Sequence, residues 1–255
     1  MVLAGQYLER SVVVKSGELS LDALYHRGKR EPPCVIAAPH PAMGGSMISP
    51  VIAELAWALT RAGHATLRFN YRGVGGSQGV TRHAVSDAPS RGLDLTDEIA
   101  DFHAAEELLL ATAHAAELCA VGYSFGAAVA LAAAQDARVS RLILIAPPTA
   151  LADFSALHAL AKPVLVICAH HDAYCDRASL QLPEQGTLEI IPHTDHFFLR
   201  GLTELGKLSA AWLRGERPEY VAPPDQAPEP EEEHVELDLD PGDEPPLELD
   251  LPEGN

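Results

Sequence analysis

Past residue 217 the chain has no lysine and no arginine, and past Tyr220 it has no aromatic residue. The stretch 218–255 carries fourteen acidic residues among many prolines. Such a segment cannot bury enough apolar surface to offset the entropy of ordering it. It reads as a disordered acidic tail, 218–255, behind a single domain, 1–217. The formal net charge of −18 belongs mostly to that tail, because the residues before it hold 22 acids against 18 bases. The body therefore lacks the basic face that nucleic acid requires, and no nucleic-acid partner is expected. No run of eighteen or more apolar residues occurs, so no membrane-spanning helix is expected. The first ten residues lack the basic start and apolar core of a secretion signal. Cysteine is scarce: Cys34, Cys119, Cys168 and Cys175 have neither redox-motif nor zinc-site spacing. Three of them lie within or beside expected strands and read as small core residues, and the set fits a protein kept reduced, with the cytoplasm as the expected location.

What is present is a core-forming composition, 47% apolar, arranged as strands that alternate with helices. Residues 11–15 and 19–25 are β-rich runs joined by Ser16-Gly17, a hairpin at a sheet edge. Buried strands are expected at 34–38, 65–70, 118–121, 141–146, 164–169 and 188–191. Helices are expected at 48–61, from 95 or 96 to 113, at 127–134, 151–160 and 198–214. The loop Pro39-His40-Pro41-Ala42-Met43-Gly44-Gly45 is expected to be non-helical, and 79–93 to be a long polar connection. Alternation of this kind gives a mostly parallel sheet with helices on both faces. Ligands then bind outside the carboxyl ends of the strands, where all the loops picked out below would gather.

The chemistry centres on Gly122-Tyr123-Ser124-Phe125-Gly126, between an apolar strand and an alanine-rich helix. The pentapeptide alone is common; its strand-turn-helix context makes it a nucleophile elbow that holds Ser124 clear of the sheet. A serine hydroxyl needs a base, and the base needs an orienting acid. After the strand at 164–169 comes His170-His171-Asp172, which offers Asp172 as the acid, with Asp176 as the alternative. After the last strand come His193, Asp195 and His196, which offer His196 as the base, with His193 as the alternative. Asp195 reads as a loop-shaping residue, and His170 and His171 as site walls or surface. The oxyanion needs two N–H donors. One is expected from Phe125, the other from near Ala42 or Met43, where Gly44-Gly45 lets the backbone turn close to a substrate. His40 and Tyr123 are candidate substrate contacts. No second ligand set accompanies the His-His-Asp cluster, so neither metal nor other cofactor is expected.

Together these residues resemble the α/β-hydrolase superfamily, and within it a bacterial family of small, lidless serine hydrolases. The resemblance rests on His40-Pro41-Ala42-Met43-Gly44-Gly45, on Arg68-Phe69-Asn70-Tyr71-Arg72-Gly73-Val74-Gly75, on Gly122 through Ala127, and on Asp195-His196-Phe197-Phe198. It covers about residues 12–214. It implies an α/β-hydrolase fold without a cap domain, Ser124 as nucleophile, Asp172 as acid, His196 as base, and acyl transfer to water without a cofactor. Three departures bear on substrate shape. Ala38-Pro39 stands where the family has a second His-Pro, the 80–93 loop is long, and Ala173-Tyr174-Cys175 follows Asp172 where relatives often carry Val-Pro. Only seventeen residues, 147–163, stand where a lid would be inserted, so an open site for a small ester or thioester is expected. A peptidase or a dienelactone-type hydrolase would share this machinery. The rival class is an interaction protein. Glu236-Leu237-Asp238-Leu239 recurs as Glu248-Leu249-Asp250-Leu251, so the acidic tail could serve as a docking arm for a protein partner.

Overall fold

The described residues build an eight-stranded sheet whose strands, counted along the chain, stand in the order first, second, fourth, third, fifth, sixth, seventh, eighth. A computed structural model describes residues 8–82 and 94–216. The expectations for most of the 79–93 connection and for the acidic tail lie outside the described residues. β1 (Arg10–Ser16) and β2 (Leu19–His26) form the antiparallel edge hairpin, turning at Gly17 with φ 56°. β2 also runs antiparallel to β4 (His64–Phe69). From there β3 (Arg30–Ala37), β5 (Leu118–Tyr123), β6 (Val139–Ile145), β7 (Val164–Ala169) and β8 (Gly186–Ile191) pair in parallel.

β3 through β7 are buried along most of their length because both faces of the sheet are covered. α1 (Pro50–Arg61) and α4 (Leu202–Leu213) pack on one face, where Ile52, Leu55 and Leu205 join Ile36, Val121 and Ile143 in one core. α2 (Thr96–Ala113) and α3 (Phe125–Ala133) pack on the other, where Phe102, Leu109 and Val129 meet Val35, Leu67 and Leu142. Every residue of α3 after the leading Phe125 is Ala, Gly, Val or Leu, and eight of its nine are buried. Small side chains let this helix lie close to the sheet.

The acids at the start of α2 do more than complement its dipole. Asp101 is fully buried. It takes the Arg72 guanidinium at 2.7 Å, the Arg72 N–H at 3.0 Å and the Ser16 hydroxyl at 2.7 Å. Asp97 pairs with Arg72 at 2.6 Å. The Asp101 hydrogen bond raises the Arg72 pKa further above its ordinary value. This cluster ties β1, the turn after β4 and α2 together.

Three elements differ from expectation. The 39–45 loop contains a 3₁₀ turn, Pro41–Met43, because proline is well placed in a first turn and Gly44 closes it at φ 79°. Within 147–163 the only helical piece is the 3₁₀ segment Ser155–Ala159, so the expected helix at 151–160 is half its length. α4 begins at Leu202, not at 198, because Phe198 at φ 52° and Gly201 at φ 102° both take the left-handed conformation. With no long insertion between β6 and β7, the molecule is an α/β-hydrolase fold without a cap domain.

The register aligns the strand ends that matter. Ala37 pairs with Gly122, Tyr123 with Ile145, Ile145 with Ile167, and Ala169 with Ile191. The chain moves from β3 outward to β4 and then returns to the other side of β3 with β5. The crevice at such a reversal is where ligands bind in open α/β sheets.

Candidate active site

Ser124 alone forms the turn between β5 and α3. Its backbone sits at φ 54°, ψ −119°, a conformation that costs a residue with a Cβ about 1–3 kcal/mol. Close backbone approach on both sides enforces it. A Cβ on Gly122 would lie 2.0 Å from the Gly126 carbonyl oxygen. One on Gly126 would lie 2.3 Å from the Ala37 carbonyl oxygen. The Ser124 N–H donates to the Ile145 carbonyl at 2.9 Å, which fixes the turn to the neighbouring strand.

The loops after β7 and β8 bring two further groups to this hydroxyl. His196 Nε2 lies 2.9 Å from Ser124 Oγ. Its Nδ1 lies 2.9 Å from each carboxylate oxygen of Asp172. Both side chains are withdrawn from water, 8% exposed for His196 and 1% for Asp172. Asp172 Oδ1 also accepts the N–H groups of Tyr174 at 2.9 Å and Cys175 at 3.2 Å, an Asx-type turn that holds the carboxylate in place. Capping a turn and meeting the imidazole are thus one arrangement. Asp176 caps the next 3₁₀ turn through the Ala178 N–H instead, and His193 is exposed. Asp195 accepts the Phe197 N–H at 3.0 Å. The Tyr123 hydroxyl donates to the His196 carbonyl at 3.0 Å. Burial, then the charges of Asp172 and Asp195, push this phenol well above its ordinary pKa, so it stays a neutral donor. With Nδ1–H donating to the carboxylate, Nε2 faces the serine as an acceptor, and the row can draw a proton from the hydroxyl.

An apolar cleft of about 330 Å³ opens over Ser124 and His196. His40 and Tyr123 both line it, and the His40 ring packs edge-on against Phe125 at 4.8 Å. Met43 lines it too, but its N–H donates to the His40 carbonyl at 3.1 Å, inside the 3₁₀ turn.

The Arg-Phe-Asn motif at the end of β4 supports this loop from behind. Arg68 Nη1 donates to the Met47 carbonyl at 2.8 Å, and the Met47 N–H donates to Asn70 Oδ1 at 2.8 Å. Both backbone polar groups of the buried Met47 are therefore held. Sequence reasoning treats these residues only as a family mark, since nothing in their spacing names Met47 as their target. It also misses Tyr174 as a site wall. Its ring stands edge-on to His196 at 4.8 Å and lines the cleft. The available signal is its place two residues after the acid. Cys168 and Cys175 are free thiols whose sulfurs lie 3.3 Å apart, although seven residues separate them.

His103, Glu106 and Asp136 approach within 4.8 Å of one another, away from the cleft. Arg138 pairs with Glu106 at 3.2 Å and with Asp136 at 2.9 Å, so a cation already serves these carboxylates.

A reversed parallel sheet, a strained serine turn and an acid–imidazole–hydroxyl row define an α/β hydrolase, and the chain belongs to that superfamily of enzymes. The family described as serine aminopeptidase, S33, matches residues 42–165, a span that includes Ser124 and ends before Asp172 and His196. Among solved structures, a serine hydrolase without a lid from Xanthomonas campestris is 29% identical, with a TM-score of 0.67 over 84% of this chain and 97% of that one. A serine hydrolase homologue from Coxiella burnetii is 26% identical, with a TM-score of 0.67 over 84% of this chain and 99% of that one. An uncharacterised Rickettsia prowazekii protein is 26% identical over 190 residues, covering 69% of this chain and 76% of its own. The chain is a serine hydrolase of the esterase-like kind. Among the described residues no helix is long and apolar enough to cross a membrane.

Proposed function

We propose that the domain 1–217 is a cytoplasmic hydrolase of small carboxylic esters or thioesters, working through an acyl-enzyme without a cofactor. Ser124 attacks the carbonyl carbon, His196 takes the hydroxyl proton and returns it to the leaving alcohol, and Asp172 holds the imidazole. Water then repeats the cycle on the acyl-enzyme. The observation that carries this reading is the unbroken row Asp172–His196–Ser124, at 2.9 Å and 2.9 Å, at the mouth of a cleft. The Phe125 amide, at the first turn of α3, is the first oxyanion donor. The second comes from the 40–42 stretch, with Ala42 favoured over Met43 because the Met43 N–H already has an acceptor. The tail 218–255, with its two Glu-Leu-Asp-Leu copies, is carried as an arm for a protein partner.

A fluorophosphonate probe tests the reading, since it reacts only where the base and the oxyanion donors are assembled. Wild type is expected to label and Ser124→Ala not to. A folded wild type that stays unlabelled removes the proposal, and labelling of both moves the nucleophile elsewhere.

Arg68 and Asn70 act on this site through Met47. Asn70→Leu leaves a buried N–H without its acceptor and frees the loop that supplies the second oxyanion donor. A misplacement on the order of 1 Å costs about 100-fold in rate. We expect kcat for a simple ester to fall by roughly 10- to 100-fold with KM little changed. A fall in melting temperature with kcat intact would make Asn70 a support of the fold alone.

A further inference from the structure

The matched family is described as serine aminopeptidase, and the walls of this cleft bear on that activity. Among the described residues its lining contains no lysine, arginine, aspartate or glutamate. Asp172 is nearby, but it lies behind His196 and is 1% exposed. An enzyme that releases amino acids from a peptide N-terminus must hold the α-ammonium group. A cation taken from water into an apolar cleft needs a carboxylate or a fan of acceptors to replace its hydration. The walls include Pro148, Leu151 and Tyr174, from the loops after β6 and β7, and Met43, Pro50 and Val51, from the loop after β3 and the start of α1. None carries a negative charge, and the Tyr174 hydroxyl and ring alone make no fan of acceptors.

The mouth carries the same character outward. Met43, Phe197 and Leu199 line the cleft, yet they stand 70%, 55% and 76% exposed. Apolar side chains left to water and continuous with a reactive centre mark the place where an apolar ligand is covered. The size of the cleft limits that ligand. At about 30 Å³ for each water-sized group, 330 Å³ holds on the order of eleven such groups. A methyl ester function takes about four of them, and the remainder is a chain of about seven carbons.

We infer that the cleft selects uncharged esters bearing one apolar acyl chain of about six to eight carbons, and that it rejects aminoacyl substrates. This rests on the acyl-transfer reading above and names its substrate class. The walls grip the chain and the exposed rim covers its far end. Acetyl esters leave the walls unfilled, and chains beyond about eight carbons run past Leu199 into water.

The test uses the full-length protein and methyl esters of straight-chain acids from acetate to palmitate, followed by acid release at pH 7. Each buried methylene contributes at most about fourfold. We expect kcat/KM to rise by about twofold per methylene, on the order of 60-fold over the six methylenes from acetate to octanoate, and then to level off. A matched pair tests the charge. Methyl 4-methylpentanoate and leucine methyl ester differ by the α-ammonium alone, and the former is expected to react at least about 100-fold faster. Leu151→Asp, at a half-buried wall position, should lower turnover of the octanoate ester and narrow the gap within that pair. Fluorophosphonate labelling runs beside every assay. A labelled enzyme that prefers acetate, gains steadily to palmitate, or hydrolyses leucine methyl ester as well as its uncharged twin overturns this inference and leaves the serine hydrolase standing. An enzyme that does not label overturns both.

Discussion

Asp172→Asn should lower kcat/KM by about 10⁴ while leaving the fold and substrate binding nearly intact. The reason lies in the hydrogen bonds that already surround the carboxylate. Oδ1 accepts two backbone N–H groups, from Tyr174 and Cys175. An asparagine must place its carbonyl oxygen there, because its amide nitrogen cannot accept. The –NH₂ then occupies the place of Oδ2, 2.9 Å from His196 Nδ1. Two donors cannot share that contact, and the oxygen at the Oδ1 place, also 2.9 Å from Nδ1, already serves two backbone N–H groups, so the balance shifts to the imidazole that carries its proton on Nε2. The ring now points N–H at Ser124 Oγ and cannot take its proton. The loss falls on kcat, since no substrate contact changes. It is read from steady-state kinetics on an ester and from slowed fluorophosphonate labelling, with a far-UV spectrum to confirm the fold. A loss of tenfold or less would mean that Asp172 only shapes its turn and that another group orients the base.

The largest expected effect on stability comes from Arg72→Met. Methionine keeps much of the length of the side chain and removes its charge. Asp101 is fully buried, and Arg72 is its cationic partner in the cluster with Ser16. Breaking one side of a buried pair leaves an uncompensated carboxylate and costs about 3–5 kcal/mol. That is a large fraction of the roughly 5–15 kcal/mol that holds a domain together. Urea unfolding should show a midpoint shift of that size without a change in slope. A double change, Arg72→Met with Asp101→Leu, removes both charges and should recover much of the loss. Equal destabilisation in the single and double variants would show that packing, not charge, is what Arg72 supplies.

The sheet was legible because burial on both faces leaves no choice of residue type. The strand at 164–169 matches its expected span to the residue, since Val164-Leu165-Val166-Ile167-Cys168-Ala169 is apolar throughout and follows Pro163. The start of α4 was misread because Phe197, Phe198 and Leu199 continue the apolar pattern of the helix. What ends that pattern is backbone conformation, at Phe198 and Gly201, and hydrophobic periodicity carries no information about φ. The candidate site is legible where chemistry demands a residue type at a fixed place after a strand, as with Ser124, Asp172 and His196. Its walls were not. Tyr174 and Leu151 are chosen by shape, and shape depends on how the loops after β6 and β7 fold against each other. The grip of Arg68 and Asn70 on Met47 was hidden for a related reason. It joins side chains to a backbone unit more than twenty residues away, and the backbone is the same at every position.

The placement of the acid and the base along the sheet has one more consequence. Ser124 hangs from β5, which has a parallel neighbour on each side, but His196 hangs from β8, the outermost strand, most of which is half exposed and which pairs with β7 alone. Edge strands are among the first parts of a protein to come loose, well below the temperature at which the interior melts. The proposed nucleophile is thus set in the interior of the sheet, while the proposed base depends on one strand ladder and on the Tyr123 hydroxyl that holds its carbonyl. On the proposed mechanism, warming is expected to end turnover by letting go of the imidazole first, with the serine still posed on a largely native sheet.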